Sequence, residues 1–189
     1  MPPKAKTGKD AIVNAALELV RESGPQAMNA RNLAARLRCS TQPIFSNFAS
    51  MELLQKAVAE AAHSHYLAFL QEEAETGKYP RYKAFGMAYI RFAAEEKELF
   101  KLLFMCDRGG QAMPPSRDFE DSVSMIMESC GVSRQTAERM HLEMWACVHG
   151  IAAMQATSFL ELPQELCSAM LSDVYHGLRA RNTFGEKAP

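Results

Sequence analysis

The sequence lacks any apolar run that approaches the ~20 residues of a membrane-spanning helix. It begins MPPKAK, without the apolar stretch of a secretory signal, so we expect a cytoplasmic protein. Its five cysteines are widely spaced and include no CxxC pair and no cysteine–histidine cluster at zinc-finger spacing. These absences argue against a disulfide scaffold and predict free thiols, most of them packed as small apolar side chains.

A catalytic arrangement is also missing from the sequence. No acid or nucleophile is placed to make His149 catalytic, and His141 lies eight residues away, too far for a two-histidine metal site on one helix. We therefore predict a protein that is not an enzyme and that needs no metal or cofactor. The composition, with 48% hydrophobic and 23% charged residues in 189, is typical of one or two soluble domains with a buried core.

Positive charge is concentrated at the N-terminal end. Residues 1–50 contain seven lysines and arginines against three acids, whereas the remainder contains fourteen against nineteen. A basic N-terminal segment followed by an acidic remainder indicates that the N-terminal segment binds a polyanion. A solvated N-terminal face would give the same distribution, so the charge alone leaves both interpretations open.

Apolar residues recur at helical spacing almost everywhere, and no stretch shows sustained strand-type alternation. We predict an all-α protein of about nine helices, with Asn29, Ser40, Ser50 and Ser133 as N-caps. The first helix ends at Gly24-Pro25, the second begins near Asn29, and the others span about 40–47, 50–75, 81–95, 96–105, 119–130, 133–159 and 163–181. A Gly- and Pro-rich loop is expected at 107–115. Residues 1–50 should form one domain and residues 76–189 another, with a connecting helix at about 51–75.

The second and third predicted helices are separated by a tight turn, as in a helix-turn-helix that presents its second helix to the major groove of DNA. Ile44, Phe45 and Phe48 are expected to anchor the third helix to the core. The other side of this helix carries hydroxyl and amide side chains that can hydrogen-bond to base edges or phosphates. Pro43 falls in the first turn, where its missing N–H has no intrahelical partner.

The segment LAARLRCSTQPIFSNFASMELL, residues 33–54, resembles the N-terminal DNA-binding domain of the tetracycline-repressor-like (TetR/AcrR) family of bacterial transcriptional regulators. Four positions depart from the family pattern. Arg38 replaces a turn glycine, Phe45 and Asn47 replace two tyrosines, and Met51 replaces a lysine. A phenolic phosphate contact is thus lost or replaced by an amide, and the lysine contact is removed. Fewer phosphate contacts predict weaker and less salt-sensitive binding unless Arg31, Arg36, Arg38, Lys4, Lys6 and Lys9 compensate.

The resemblance implies a homodimer that places two recognition helices in successive major grooves of a roughly palindromic operator. It further implies a transcriptional regulator, most often a repressor, that responds to a small effector of unknown identity. The residues expected to contact DNA are Asn29, Arg31, Arg38, Thr41, Gln42, Ser46 and Asn47. An alternative is a helical sensor or interaction protein with weakened or lost DNA binding, which Asn47 and Met51 motivate.

The C-terminal half carries Trp145, His149 and Gly150, and over about residues 80–160 it resembles the WHG-type ligand-binding and dimerisation domain of some family members. Trp145 and His149 lie four residues apart and so share a helix face, and Gly150 is expected to permit a close helix crossing. The candidate ligand pocket consists of Phe85, Tyr89, Phe92, Phe104, Met144, Trp145 and His149. Plain core packing is the more common role of such aromatic and methionine residues.

The last two predicted helices carry apolar residues on more than one face. Surplus apolar surface of this kind predicts a helical dimer seam. The residues concerned are Cys147, Val148, Ile151, Ala152, Leu166, Met170, Leu171, Val174 and Leu178.

Overall fold

The computed structural model describes residues 8–106 and 117–185, so the loop predicted at 107–115 lies outside the described residues. Within these two ranges the chain forms nine α-helices and no strand, which confirms the predicted all-α class. None of these helices is both long and apolar enough to cross a bilayer. The helices are α1 (Lys9–Ser23), α2 (Ala30–Arg36), α3 (Gln42–Asn47), α4 (Met51–Glu75), α5 (Arg81–Glu95), α6 (Lys97–Phe104), α7 (Arg117–Cys130), α8 (Arg134–Ala156) and α9 (Gln164–Gly185).

Most helix ends follow the predicted local signals. Gly24 ends α1 with φ of +80° and donates its N–H to the Val20 carbonyl oxygen. Asn29 caps α2 through a 2.9 Å hydrogen bond from the Asn32 N–H, and Ser133 accepts from the backbone N–H of Thr136 at the start of α8. The cap of α4 is also as predicted, because the Ser50 hydroxyl accepts from the Leu53 N–H at 3.3 Å.

Three predicted boundaries are wrong, and one of them is the end of α9, which lies at Gly185 instead of about Arg181. Thr41, and not Ser40, precedes α3, and it makes no capping hydrogen bond. Its φ of −71° and ψ of −16° are already helical, whereas a capping side chain requires an extended backbone. Helix α8 ends at Ala156 instead of about Phe159, because Ser158 takes a φ of +54° and turns the chain.

The first of two compact units contains residues 8–68 together with Glu96–Cys106. Its core includes the fully buried side chains of Ile12, Leu33 and Leu99, and α6 packs against α1 and the short turn at Pro25–Ala27. Arg21 on α1 donates two 3.0 Å hydrogen bonds to Glu96, just before α6. Helix α6 therefore belongs by packing to the N-terminal unit, although it follows α5 in sequence.

The second unit contains Phe69–Glu95 and residues 117–185. Helix α5 packs most extensively against α8, around the buried side chains of Phe92, Met140 and Ile151. The close approach predicted for Gly150 lies instead at Gly86, where an added Cβ would stand 3.2 Å from Leu171, whereas nothing lies within 4 Å at Gly150. The division between the units describes packing alone. The functional boundaries expected at 1–50, 51–75 and 76–189 stay a prediction.

Candidate nucleic-acid interface

Helix α3 has one face that is buried and one face that is exposed. Ile44 and Phe48 are 1% and 4% exposed, and they anchor the helix in the core of the first unit. Thr41, Gln42 and Ser46 are exposed on its outer side. A short helix with one buried edge and an outer row of hydroxyl and amide groups can present those groups to an external polar partner.

Phe45 corrects the sequence interpretation, because its side chain is 49% exposed and does not anchor α3. Successive helical residues are rotated by about 100°, so Phe45 cannot share the buried edge that Ile44 and Phe48 occupy four residues apart. It stands instead on the side of Thr41, four residues before it. An exposed phenyl ring among polar groups can contact a thymine methyl, a contact that the sequence analysis missed by placing Phe45 in the core.

Two candidate residues use part of their polar groups inside the helix. The Ser46 hydroxyl donates to the Gln42 carbonyl oxygen at 2.9 Å, and the Asn47 amide donates to the Pro43 carbonyl oxygen at 2.8 Å. Asn47 is only half-exposed. Of the predicted residues of α3, Thr41 and Gln42 are therefore the best presented, and Ser46 keeps its acceptor lone pairs.

The turn before α3 contains Arg38 with φ of +51°, a left-handed conformation that favours glycine. The chain thus forms the tight turn with an arginine in the strained position, and the Arg38 side chain is exposed beside α3. Arg31 is exposed on α2. Asn29 is occupied as a cap, since its Oδ1 accepts from Asn32 and its amide donates to the Ala27 carbonyl oxygen at 3.3 Å.

Arg36 is engaged in an ion pair. Its guanidinium donates two hydrogen bonds to the Glu22 carboxylate, at 2.6 and 2.8 Å, and these bonds lower the pKa of that carboxyl. A bidentate pair is directional and leaves few donors for a phosphate. Arg36 is therefore a poorer candidate for compensating phosphate contacts than Arg31 or Arg38.

The second unit contains a tyrosine–histidine pair at the predicted ligand pocket. The Tyr89 hydroxyl lies 2.9 Å from Nδ1 of His149, and the His149 ring stacks on Trp145 with centroids 4.9 Å apart. Burial raises the pKa of Tyr89 and lowers the pKa of His149, so both groups stay neutral near pH 7. With both groups neutral, one of them donates this hydrogen bond and the other accepts it, and the tautomer of His149 decides which.

The structure does not bring all seven predicted pocket residues together. Phe104 belongs to the first unit, where its ring packs edge-on against Tyr66 with centroids 5.1 Å apart. Phe92 is fully buried against Phe69, and Met144 is 5% exposed, so these two are core residues. Phe85 is half-buried beneath the Arg81 guanidinium. Helical spacing placed these residues on inward faces, but it could not show which unit each face meets.

A second tyrosine–histidine pair was not predicted. The Tyr82 hydroxyl lies 3.0 Å from Nδ1 of His141, and burial lowers the pKa of this histidine as well. Tyr82 precedes Tyr89 by seven residues and His141 precedes His149 by eight, so the two pairs repeat along the contact between α5 and α8. In the described ranges, no group of three or more His, Cys, Asp or Glu side chains is placed to hold a metal ion.

Residues 82–174 match the family model described as the tetracyclin repressor-like, C-terminal domain. No curated protein sequence matches the chain significantly. A solved protein of unknown function from Rhodococcus sp. RHA1 is 22% identical, with 95% of this chain and 99% of that chain covered and a TM-score of 0.73. A TetR-like transcriptional regulator from Rhodococcus sp. RHA1 is 14% identical, with 96% and 98% covered and a TM-score of 0.64.

These similarities place the chain in a class of all-helical proteins. The structural likeness covers nearly the whole of both chains and shows the fold, while the family model matches residues 82–174. Residues 82–174 therefore carry a tetracyclin repressor-like, C-terminal domain, and this match confirms the resemblance to the tetracycline-repressor-like (TetR) family found in the sequence.

Proposed function

We propose that the chain is a repressor that binds a roughly palindromic DNA operator as a homodimer and responds to a small effector. The observation that carries this proposal is the outer face of α3, where Thr41 and Gln42 are exposed while Ile44 and Phe48 hold the helix in the core. Two copies would place two such helices in successive major grooves. Arg31 and Arg38 add positive charge, and Phe45 adds an apolar contact.

The effector is proposed to bind in the second unit beside the Tyr89–His149–Trp145 cluster. These side chains combine a stacked aromatic surface with a polar edge, which suits a small, partly apolar ligand. Effector binding would change operator affinity only if the effector binds the DNA-bound and DNA-free states of the protein with different affinities. Such coupling is typically about 1–3 kcal/mol.

Dimerisation is proposed to use the turn between α8 and α9. Phe159 is 81% exposed there, and the neighbouring Leu160 and Leu166 are 47% and 46% exposed. Of the predicted seam residues, Val148, Ile151, Ala152, Leu171 and Leu178 are buried inside this chain. These three exposed side chains therefore offer a second copy apolar surface nearer the turn than the sequence indicated.

A gel shift on the DNA upstream of the chain's own gene tests the regulator proposal. We expect a sequence-specific shift that weakens with salt and that Gln42→Ala abolishes or strongly reduces. Gln135→Ala, which removes an equally exposed amide on α8, is the matched control and should leave the shift unchanged. Absence of any specific, salt-sensitive shift would favour the alternative of a sensor or interaction protein that has lost DNA binding.

A further inference from the structure

The first unit carries a shallow groove of about 420 Å³ beside the end of α3. The C-terminal residues of α3, the following turn and the first turns of α4 form its walls, and the start of α1 forms one edge. The residues that matter to its chemistry are Lys9, Asn47, Phe48, Leu53, Lys56 and Glu60. We propose that the Lys9 and Lys56 ammonium groups of this groove bind a backbone phosphate of duplex DNA.

Of the residues that line the groove, Lys9 and Lys56 are the cations. Arg21 and Arg36 are held by glutamates, and Lys101 pairs with Glu98 at 2.6 Å. Across the described ranges, neither Lys9 nor Lys56 forms an ion pair, and both are exposed. An ammonium group without a carboxylate partner can neutralise a phosphate without first breaking a salt bridge.

Lys9 is positioned by an aromatic ring. Its Nζ lies 5.2 Å from the centroid of the Phe48 ring, within the range of a cation–π contact. Phe48 is itself buried as an anchor of α3, so this contact keeps the exposed Lys9 ammonium group beside the groove. The position of the charge is thereby tied to the position of α3.

The proposed partner follows from the location of the groove, and it rests on the proposed DNA-binding function. A helix in the major groove is flanked by phosphates of both strands, because that groove is only about 12 Å wide. Cations at the end of α3 are therefore within reach of the sugar-phosphate backbone when the outer face of α3 meets base edges. Asn47, on the same groove, contributes an amide that already donates to the Pro43 carbonyl oxygen, so lysines are the stronger phosphate ligands.

One acidic residue shares the groove and restricts the site. Glu60 lies four residues after Lys56 and so on the same side of α4. Its carboxylate repels a phosphate, which confines binding to the end of the groove near Lys9 and Lys56. Neutralising Glu60 should consequently strengthen DNA binding, which is opposite to the effect of neutralising either lysine.

Salt titrations of DNA binding test the inference. Dissociation constants of the full chain and of its Lys9→Gln, Lys56→Gln and Glu60→Gln variants are measured by fluorescence anisotropy between 50 and 200 mM salt. Two duplexes are used, one selected by the wild-type chain from random-sequence DNA and a scrambled duplex of equal length. Lys78→Gln, on the segment between α4 and α5, is the control for loss of one positive charge, and circular dichroism verifies folding.

We expect each lysine variant to lower the slope of log K against log salt by about 1, with similar weakening on both duplexes. Glu60→Gln should bind both duplexes more tightly, and Lys78→Gln should retain the wild-type slope. Unchanged slopes for Lys9→Gln and Lys56→Gln, or an effect confined to the selected duplex, would overturn the phosphate site but not the regulator. Failure of the wild-type chain to bind either duplex would overturn both.

Discussion

Individual residues of α3 are sorted by the rotation of the helix, and not by their hydrophobicity. Ile44 and Phe48 are four residues apart and meet the core together, whereas Phe45 is 49% exposed among polar groups. Two phenylalanines three residues apart thus have different roles, one in folding and one at the surface. The sequence indicated that both were anchors because it shows apolar character but not the depth of each side chain.

Truncating the two phenylalanines should separate these roles. We expect Phe48→Ala to lower the free energy of unfolding by about 3–5 kcal/mol, because it leaves a cavity in the core. Phe45→Ala should change it by less than about 1 kcal/mol but weaken DNA binding. Urea denaturation followed by circular dichroism measures both effects. Equal losses of stability would contradict the exposed position of Phe45.

Arg38 offers a second test at the residue scale. An arginine at φ of +51° is strained relative to glycine. Glycine also gives the unfolded chain more conformational freedom, which offsets part of the gain from relieved strain. Arg38→Gly should therefore raise the free energy of unfolding by a net amount of about 0.5–1 kcal/mol. Arg38→Ala is the matched control, because it removes the same charge and stem but keeps the Cβ atom. Thermal denaturation should rank glycine above alanine, and the reverse order would show that the turn is not strained.

At the scale of elements, helix ends show which local signals are used. Ser133 and Asn29 cap α8 and α2 with side-chain hydrogen bonds, whereas Thr41 at the start of α3 makes none. The hydroxyl of Thr41 contributes nothing to the end of its own helix and remains exposed for a partner. A side chain of a type that often caps helices can therefore contact a binding partner instead when its own backbone is already helical.

This contrast predicts opposite outcomes for two matched hydroxyl deletions. Ser133→Ala should destabilise the protein by about 1 kcal/mol through loss of a cap, with no direct effect on DNA affinity. Thr41→Ala should leave stability nearly unchanged and reduce affinity for the selected duplex. Chemical denaturation and fluorescence anisotropy are the two measurements. A stability loss at Thr41 as large as that at Ser133 would contradict the geometry of the α3 start.

The contact between α5 and α8 is the other feature at this scale. Tyr82 and Tyr89 meet His141 and His149 in the same order, so the two helices run in the same direction where they touch. Repetition of one polar pair along a buried contact fixes the register of the helices, because a slip of either helix would separate both pairs. Sequence spacing alone could not show this register, since the partners are 59 and 60 residues apart.

The two part-buried histidines, His141 and His149, predict a loss of stability in mild acid. Burial lowers the pKa of His141 and His149 from the ordinary 6.5, so the unfolded chain binds protons that the folded chain does not. Their contribution is present above about pH 6.5 and is lost as the pH falls through the folded-state pKa values. Urea denaturation between pH 7.5 and 5 should show this decline.

A double His141→Gln, His149→Gln variant should flatten the pH dependence over that range. His176→Gln, at an exposed position of α9, is the control for removal of a histidine. The glutamates with lowered pKa values, such as Glu22, titrate near and below the ordinary 4.5, so they act in more acid solution. A wild-type slope in the double variant would mean that other groups cause the decline.

At the scale of the whole molecule, the proposed function requires a second copy. Phe159 at the α8–α9 turn is 81% exposed, so packing within one chain does not explain an apolar side chain at this position. Phe159→Glu should therefore shift the protein toward monomer and weaken operator binding, because one copy offers only one recognition helix. Light scattering across a concentration series measures the shift. Met105→Glu, at an exposed residue that ends α6, is the control and should remain dimeric.

The sequence by itself determined the all-α class, most helix ends and the exposure of Thr41 and Gln42. These properties depend on local signals, namely helical periodicity and the chemistry of Asn, Ser and Gly at helix ends. The sequence also showed that Arg38 stands where the family pattern has a turn glycine, because this difference depends only on the residue type at one position.

Only the tertiary structure decided the unit to which α6 and Phe104 belong, the pairing of Arg36 with Glu22, and the repeat of tyrosine–histidine pairs. It also decided that Phe45 is exposed and that Lys9 and Lys56 share a groove. Each of these facts depends on which helix faces meet, and helical periodicity gives the inward direction of a face without the identity of its neighbour.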